Sequence, residues 1–72
     1  MNKYTLRIEG MMCGMCEAHM NDAVRKAVPD AKKVKSSRKK GITTFKAESI
    51  DEDALRNGID ATGYKLLEII SE

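Results

Sequence analysis

Apolar and polar positions change their period several times along the chain, and each change marks an element. Tyr4, Leu6 and Ile8 alternate with Thr5, Arg7 and Glu9, which predicts a half-buried strand over residues 3–9, ended by Gly10. From Cys16 the spacing becomes helical: Cys16, Met20, Ala23, Val24 and Ala27 line one stripe and predict a helix over 15–28. Pro29 stops it, because a residue before proline is pushed out of the α region. Residues 31–36 (AKKVKS) read as a strand with little apolar support, and 42–47 (ITTFKA) as a β-branched, aromatic strand. Ser37 to Gly41 is then a turn, with Gly41 at a positive-φ position. Asp51 is placed to cap a second helix, with Ile50 and Leu55 at the hydrophobic-staple positions and Gly63 at C′. Residues 64–70 (YKLLEII) form the last strand.

The order β-α-β-β-α-β predicts an α+β fold of the ferredoxin-like, split-βαβ type. Two helices should cover one face of a four-stranded antiparallel sheet. The predicted core is Leu6, Ile8, Met20, Val24, Val34, Phe45, Leu55, Ile59 and Leu66. With 72 residues, one domain spanning 1–72 is expected, with no room for a dinucleotide-binding domain or a deeply buried multi-residue active site. No apolar run approaches the roughly 18 residues that cross a bilayer, so no direct membrane insertion is expected. MNKYTLRIEG has no apolar signal-peptide core, which points to the cytoplasm. The start at Met1 and the fit of the length to one domain suggest a free-standing protein rather than a piece of a transporter.

Charge is unevenly placed. Residues 1–24 sum to −1, 25–46 to +8 and 47–72 to −5, within a net charge of +2. The basic block carries no aromatic residue before Phe45, and the chain has three aromatics in all, so base stacking and nucleic-acid binding are not expected. A solvated face, or an acidic protein partner, fits better.

The chemistry lies in Gly10-Met11-Met12-Cys13-Gly14-Met15-Cys16, between the first strand and the first helix. Cys16 falls in the first helical turn, where unpaired N–H groups and the helix dipole stabilise a thiolate. Cys13 lies in the loop before it, and Gly14 gives the backbone freedom to turn the two sulfurs together. Two converging thiolates suit a soft ion of low coordination number such as Cu(I). A structural zinc site wants four ligands, more than this chain offers.

The G-M-x-C-x-x-C run resembles the signature of heavy-metal-associated domains, the family of small copper chaperones and of the amino-terminal metal-binding domains of copper-transporting P-type ATPases. Met20, Ala23 and Val24 fall where that family carries apolar residues, and Thr62-Gly63-Tyr64 matches its loop beside the metal in the bacterial form. The resemblance implies Cys13 and Cys16 as ligands, Met11 as a buried support beneath the loop and Tyr64 as a neighbour of the metal. Met12 and Met15 flank the cysteines as exposed thioethers suited to docking or to weak copper contact. Met12 stands where zinc-type members carry an acid, which favours copper; Zn(II) and Hg(II) remain as alternatives. His19, one helical turn from Cys16, departs from the family pattern. It is either a third ligand, better matched to Zn(II), or a solvated histidine at the edge of the first turn.

The implied function is a cytosolic Cu(I) chaperone, not an enzyme. It would pass copper by thiolate exchange to the metal-binding domain of a copper-transporting P-type ATPase, as an apo monomer, with a metal-bridged dimer as the alternative assembly. Two other readings stand beside it: the metal-binding domain of a heavy-metal transporter, and a thiol-disulfide oxidoreductase. C-G-M-C is close to the C-G-P-C of thioredoxins, but the proline and a preceding tryptophan are missing.

Overall fold

The computed structural model describes residues 2–10 and 14–71. Six elements follow in the order β1 (Asn2–Glu9), α1 (Gly14–Ala27), β2 (Lys32–Ser37), β3 (Ile42–Ala47), α2 (Glu52–Asp60) and β4 (Lys65–Ser71). The strands form one antiparallel sheet in the order β2-β3-β1-β4, so β1 and β3 are internal and β2 and β4 are edges. This is the expected ferredoxin-like arrangement, with element bounds within a residue or two of those the periodicity predicts.

The period-2 pattern of β1 sends Tyr4, Leu6 and Ile8 to one face, and β3 adds Thr43, Phe45 and Ala47 to it. Met20 and Val24 from α1, Val28 just past its end, and Leu55 and Ile59 from α2 pack against them, with Leu66 from β4. Tyr4 and Phe45 stack with ring centroids 5.4 Å apart. Every predicted core residue is buried except Val34, which is half-buried on the edge strand β2. Edge position also explains β4, which buries Leu66 but leaves Leu67 and Ile70 49% and 40% exposed.

Local chemistry sets the helix ends. Asp51 caps α2, its side chain accepting from the Ala54 N–H at 3.1 Å. Ile50 packs on the same cluster as Leu55, completing the staple. The far end differs from expectation: Ala61 is the C-cap, and the left-handed residue Gly63 (φ +90°) comes two positions later. The Thr62 hydroxyl, bonded back to the Ile59 carbonyl, carries the chain through the intervening turn.

Two register shifts escaped the periodicity. One lies between Arg7 and Ile8 against β4. The other lies between Lys32 and Lys35 against β3, where Lys33 adopts φ +55°.

Candidate functional site

One end of the sheet gathers the segments that flank the cysteine motif. β1 leaves the sheet at Glu9, and Gly10 turns with φ +99°, a conformation that L side chains rarely adopt. The β2–β3 turn closes at the same end: Gly41 has φ +66°, its N–H bonds the Ser37 carbonyl at 2.8 Å, and its carbonyl accepts from the Ile8 N–H at 2.8 Å. Tyr64, just before β4, is half-buried on the core, and its ring lies beside Gly10.

Gly14, Met15 and Cys16 form the first turn of α1, whose N-terminus lies at the end that follows residues 11–13. Cys16 is half-buried and packs on the hydrophobic cluster, so its position is set by the core. Met15 is 71% exposed beside it. The helix start thus pairs a sulfur anchored by packing with a thioether facing solvent. Met11, Met12 and Cys13 lie outside the described residues.

His19, one helical turn after Cys16, is exposed and lines an open groove between α1 and α2 with Asp22, Lys26, Gly58 and Thr62. Among the described residues, no group of three or more His, Cys, Asp or Glu side chains is placed to hold a metal ion.

Sequence reasoning missed one tie at this end. Glu17, in the first turn of α1, accepts from the backbone N–H of Arg38 at 2.8 Å, and its carboxylate stands 4.0 Å from the Arg38 guanidinium. The tip of the β2–β3 turn is therefore fastened to the start of α1, directly after the motif. The two residues are 21 positions apart, and no spacing rule joins them. A carboxylate in the first turn also complements the helix dipole.

Comparison with known proteins places this geometry. No protein-family model matches the chain. A mercuric reductase of Lysinibacillus sphaericus is 34% identical over 70 residues, which is 96% of this chain; the chain spans 12% of that relative's length. Among solved structures, a copper-binding domain from the P-type ATPase HMA7 superposes with a TM-score of 0.79 at 20% identity, over 97% of this chain and 95% of that one. The N-terminal domain of ZntA in its Zn(II) form gives 0.78 at 20% identity, covering 92% and 89%. The CopZ metallochaperone gives 0.77 at 18% identity, covering 90% and 98%. At these identities the likeness is one of fold, and the fold is that of the heavy-metal-associated domains. Among the described residues, no helix is long and apolar enough to cross a membrane.

Proposed function

We propose that residues 1–72 act as one soft-metal-binding domain that carries Cu(I) between the thiolates of Cys13 and Cys16. The observation that carries this reading is the place of Cys16: a half-buried sulfur in the first turn of α1, following a positive-φ glycine that ends β1. Cys13, three residues earlier, enters on its spacing. The helix N-terminus lowers the cost of a thiolate there, and a thiolate pair matches Cu(I) in softness and coordination number. Copper is here a cargo. The copper-binding ATPase domain and the metallochaperone among the similar folds support the choice of metal.

Transfer follows from low coordination. An incoming thiolate of a like domain on a copper-transporting P-type ATPase adds to the ion, giving a three-coordinate intermediate. One of the two resident sulfurs then leaves. The metal-bound thiolate count rises by one and falls by one, with no redox change. Cys13 is the sulfur to leave first, since Cys16 is held by packing on the core. Met15, exposed beside Cys16, offers an apolar contact for the partner, together with Met12. Arg25 and Lys26, in the last turn of α1, offer charge to an acidic partner. The protein works in the cytoplasm as a carrier rather than an enzyme, monomeric until a metal bridges two copies.

The test is anaerobic titration with Cu(I) against a chelator of known affinity. One Cu(I) per chain is expected, with tight binding abolished in Cys13→Ser/Cys16→Ser; retention of tight binding by that variant overturns the reading.

A second reading is favoured by one observation, the 34% identity to a mercuric reductase. Two thiolates also suit Hg(II), and the domain would then deliver mercury to a reductase. Loaded protein separates the two: faster metal delivery to a copper-ATPase domain supports the first, and faster Hg(II) delivery to a mercuric reductase supports the second.

A further inference from the structure

The sheet face turned away from the helices carries an unusual row. Lys3 on β1 stands directly opposite Lys46 on β3, and Lys46 stands directly opposite Lys32 on β2. Three ammonium side chains therefore lie abreast on adjacent strands, about 4.8 Å apart at the backbone, where like charges repel. A fourth and a fifth join them. Lys35 pairs with Thr44 on the same face, and Lys33 reaches it through the register shift. Strict alternation would send one of Lys32 and Lys33 toward the helices. The extra residue, with Lys33 at φ +55°, brings both to the outer side. Lys3, Lys33, Lys35 and Lys46 thus rim one shallow concavity of about 290 Å³, floored by Thr44 and Phe45.

Among the described residues, none of these lysines stands in an ion pair. The ion pairs of the described residues use Arg7, Arg25 and Arg38; of the strand acids on the outer face, Glu68 is held by Arg7 at 3.5 Å and Glu9 lies at the far end of β1, opposite Lys65. Lysines on an edge strand guard against pairing with another chain, which accounts for those on β2. It does not account for Lys3 and Lys46, which sit on internal strands. A non-glycine residue in the left-handed region costs about 1–3 kcal/mol and is retained where the surroundings or a function require it.

We propose that this concavity binds a clustered-phosphate anion, with Lys3, Lys33, Lys35 and Lys46 supplying the ammonium groups. The chemistry of the rim selects the ligand class. Lysines act as mobile point charges that match several phosphate oxygens without the planar geometry a carboxylate–arginine fork demands. The aromatic rings of Tyr4 and Phe45 are buried in the core, so bases have no stacking surface here. The site lies near the start of β1, six residues or about 20 Å from the end that leads into the cysteine motif. An anion can therefore occupy it while the metal end stays open. The inference is independent of the metal reading.

The source of the phosphates is either a free oligophosphate or the headgroups of an anionic membrane. Two probes distinguish them: inorganic tripolyphosphate, followed by backbone amide shifts, and phosphatidylglycerol vesicles against phosphatidylcholine vesicles, followed by co-sedimentation. Saturable binding of either probe, mapped to residues 3, 33–35 and 44–46 and weakened by salt, is expected. Lys3→Gln/Lys46→Gln should weaken it about thirtyfold. Lys39→Gln/Lys40→Gln, at the turn on the opposite end, removes equal charge and should leave it within about twofold. Far-UV spectra of both variants verify the fold. Absence of binding by both probes, or equal weakening in the two double variants, overturns the proposal.

Discussion

The Cδ1 of Tyr64 lies 3.4 Å from the point where a Cβ on Gly10 would stand. The two residues are brought together because β1 pairs with β4, Ile8 facing Leu66 and Glu9 facing Lys65. The ring thus covers the backbone where the chain leaves the sheet for the cysteine motif. Under the proposed function it limits solvent on that side of the metal loop.

That contact makes Gly10 doubly constrained, by φ +99° and by the ring, whereas Gly63 at φ +90° has nothing within 4 Å of its would-be Cβ. Gly63→Ala should cost about 1 kcal/mol from backbone strain alone, and Gly10→Ala about 2–3 kcal/mol. Urea denaturation measures both. Equal losses would mean that the ring contact adds nothing.

A hydroxyl relay holds α1 to the sheet. Ser36 Oγ donates to Asn21 Oδ1 at 2.6 Å, which leaves the Thr43 hydroxyl to donate to Ser36 Oγ at 2.8 Å. Thr43 is wholly buried. Ser36→Ala leaves that hydroxyl unpaired and should cost about 1–3 kcal/mol. Adding Thr43→Val should recover part of the loss, since an apolar pair needs no partner. A double-mutant cycle with no coupling would show that the relay contributes nothing.

The core that joins the sheet to both helices is built of Leu6, Met20, Val24, Phe45, Leu55 and Ile59, with Cys16 only at its margin. Metal removal should therefore leave the far-UV circular dichroism unchanged and alter amide exchange near the motif alone. A disordered-chain spectrum in the metal-free protein would place it among metal-dependent folders instead. Leu55→Ala, by contrast, should cost about 2–5 kcal/mol with or without metal.

His19 stands one helical turn from Cys16 on α1, exposed at the groove between the helices. His19→Ala is expected to lower Zn(II) affinity more than Cu(I) affinity, because imidazole is the better match to zinc. Parallel competition titrations measure this, and an equal large loss for both metals would make His19 a general ligand.

Transfer to a partner domain should slow when Met15 is replaced by Ser, and should slow further as salt rises, because exposed charges are screened within about 8–10 Å. Stopped-flow transfer in the presence of a trapping chelator reads both effects. A rate indifferent to Met15 and to salt would describe a passive buffer.

Much of the fold was written in local patterns. Alternation in β1 and β3, the helical stripe from Cys16 to Ala27, the Asp51 cap and the glycine at 41 are all short-range features, and the structure follows them. β2 was harder, because AKKVKS has one large apolar residue and a register shift that breaks its period. The end of α2 was displaced because the Thr62 hydroxyl, bonded to the Ile59 carbonyl, carries the turn as far as Gly63.

The candidate site divides in the same way. A cysteine pair at a strand-to-helix junction, with its flanking methionines, is a matter of residue type and spacing within seven positions, which one chain displays by itself. The Glu17–Arg38 tie, the Tyr64 ring over Gly10, the turning of His19 into the interhelical groove and the three lysines abreast across β2, β3 and β1 join residues far apart in the chain. Such contacts depend on strand order and register. Those are settled when the apolar faces of six elements are buried together, a condition on the whole chain that no short window of sequence contains.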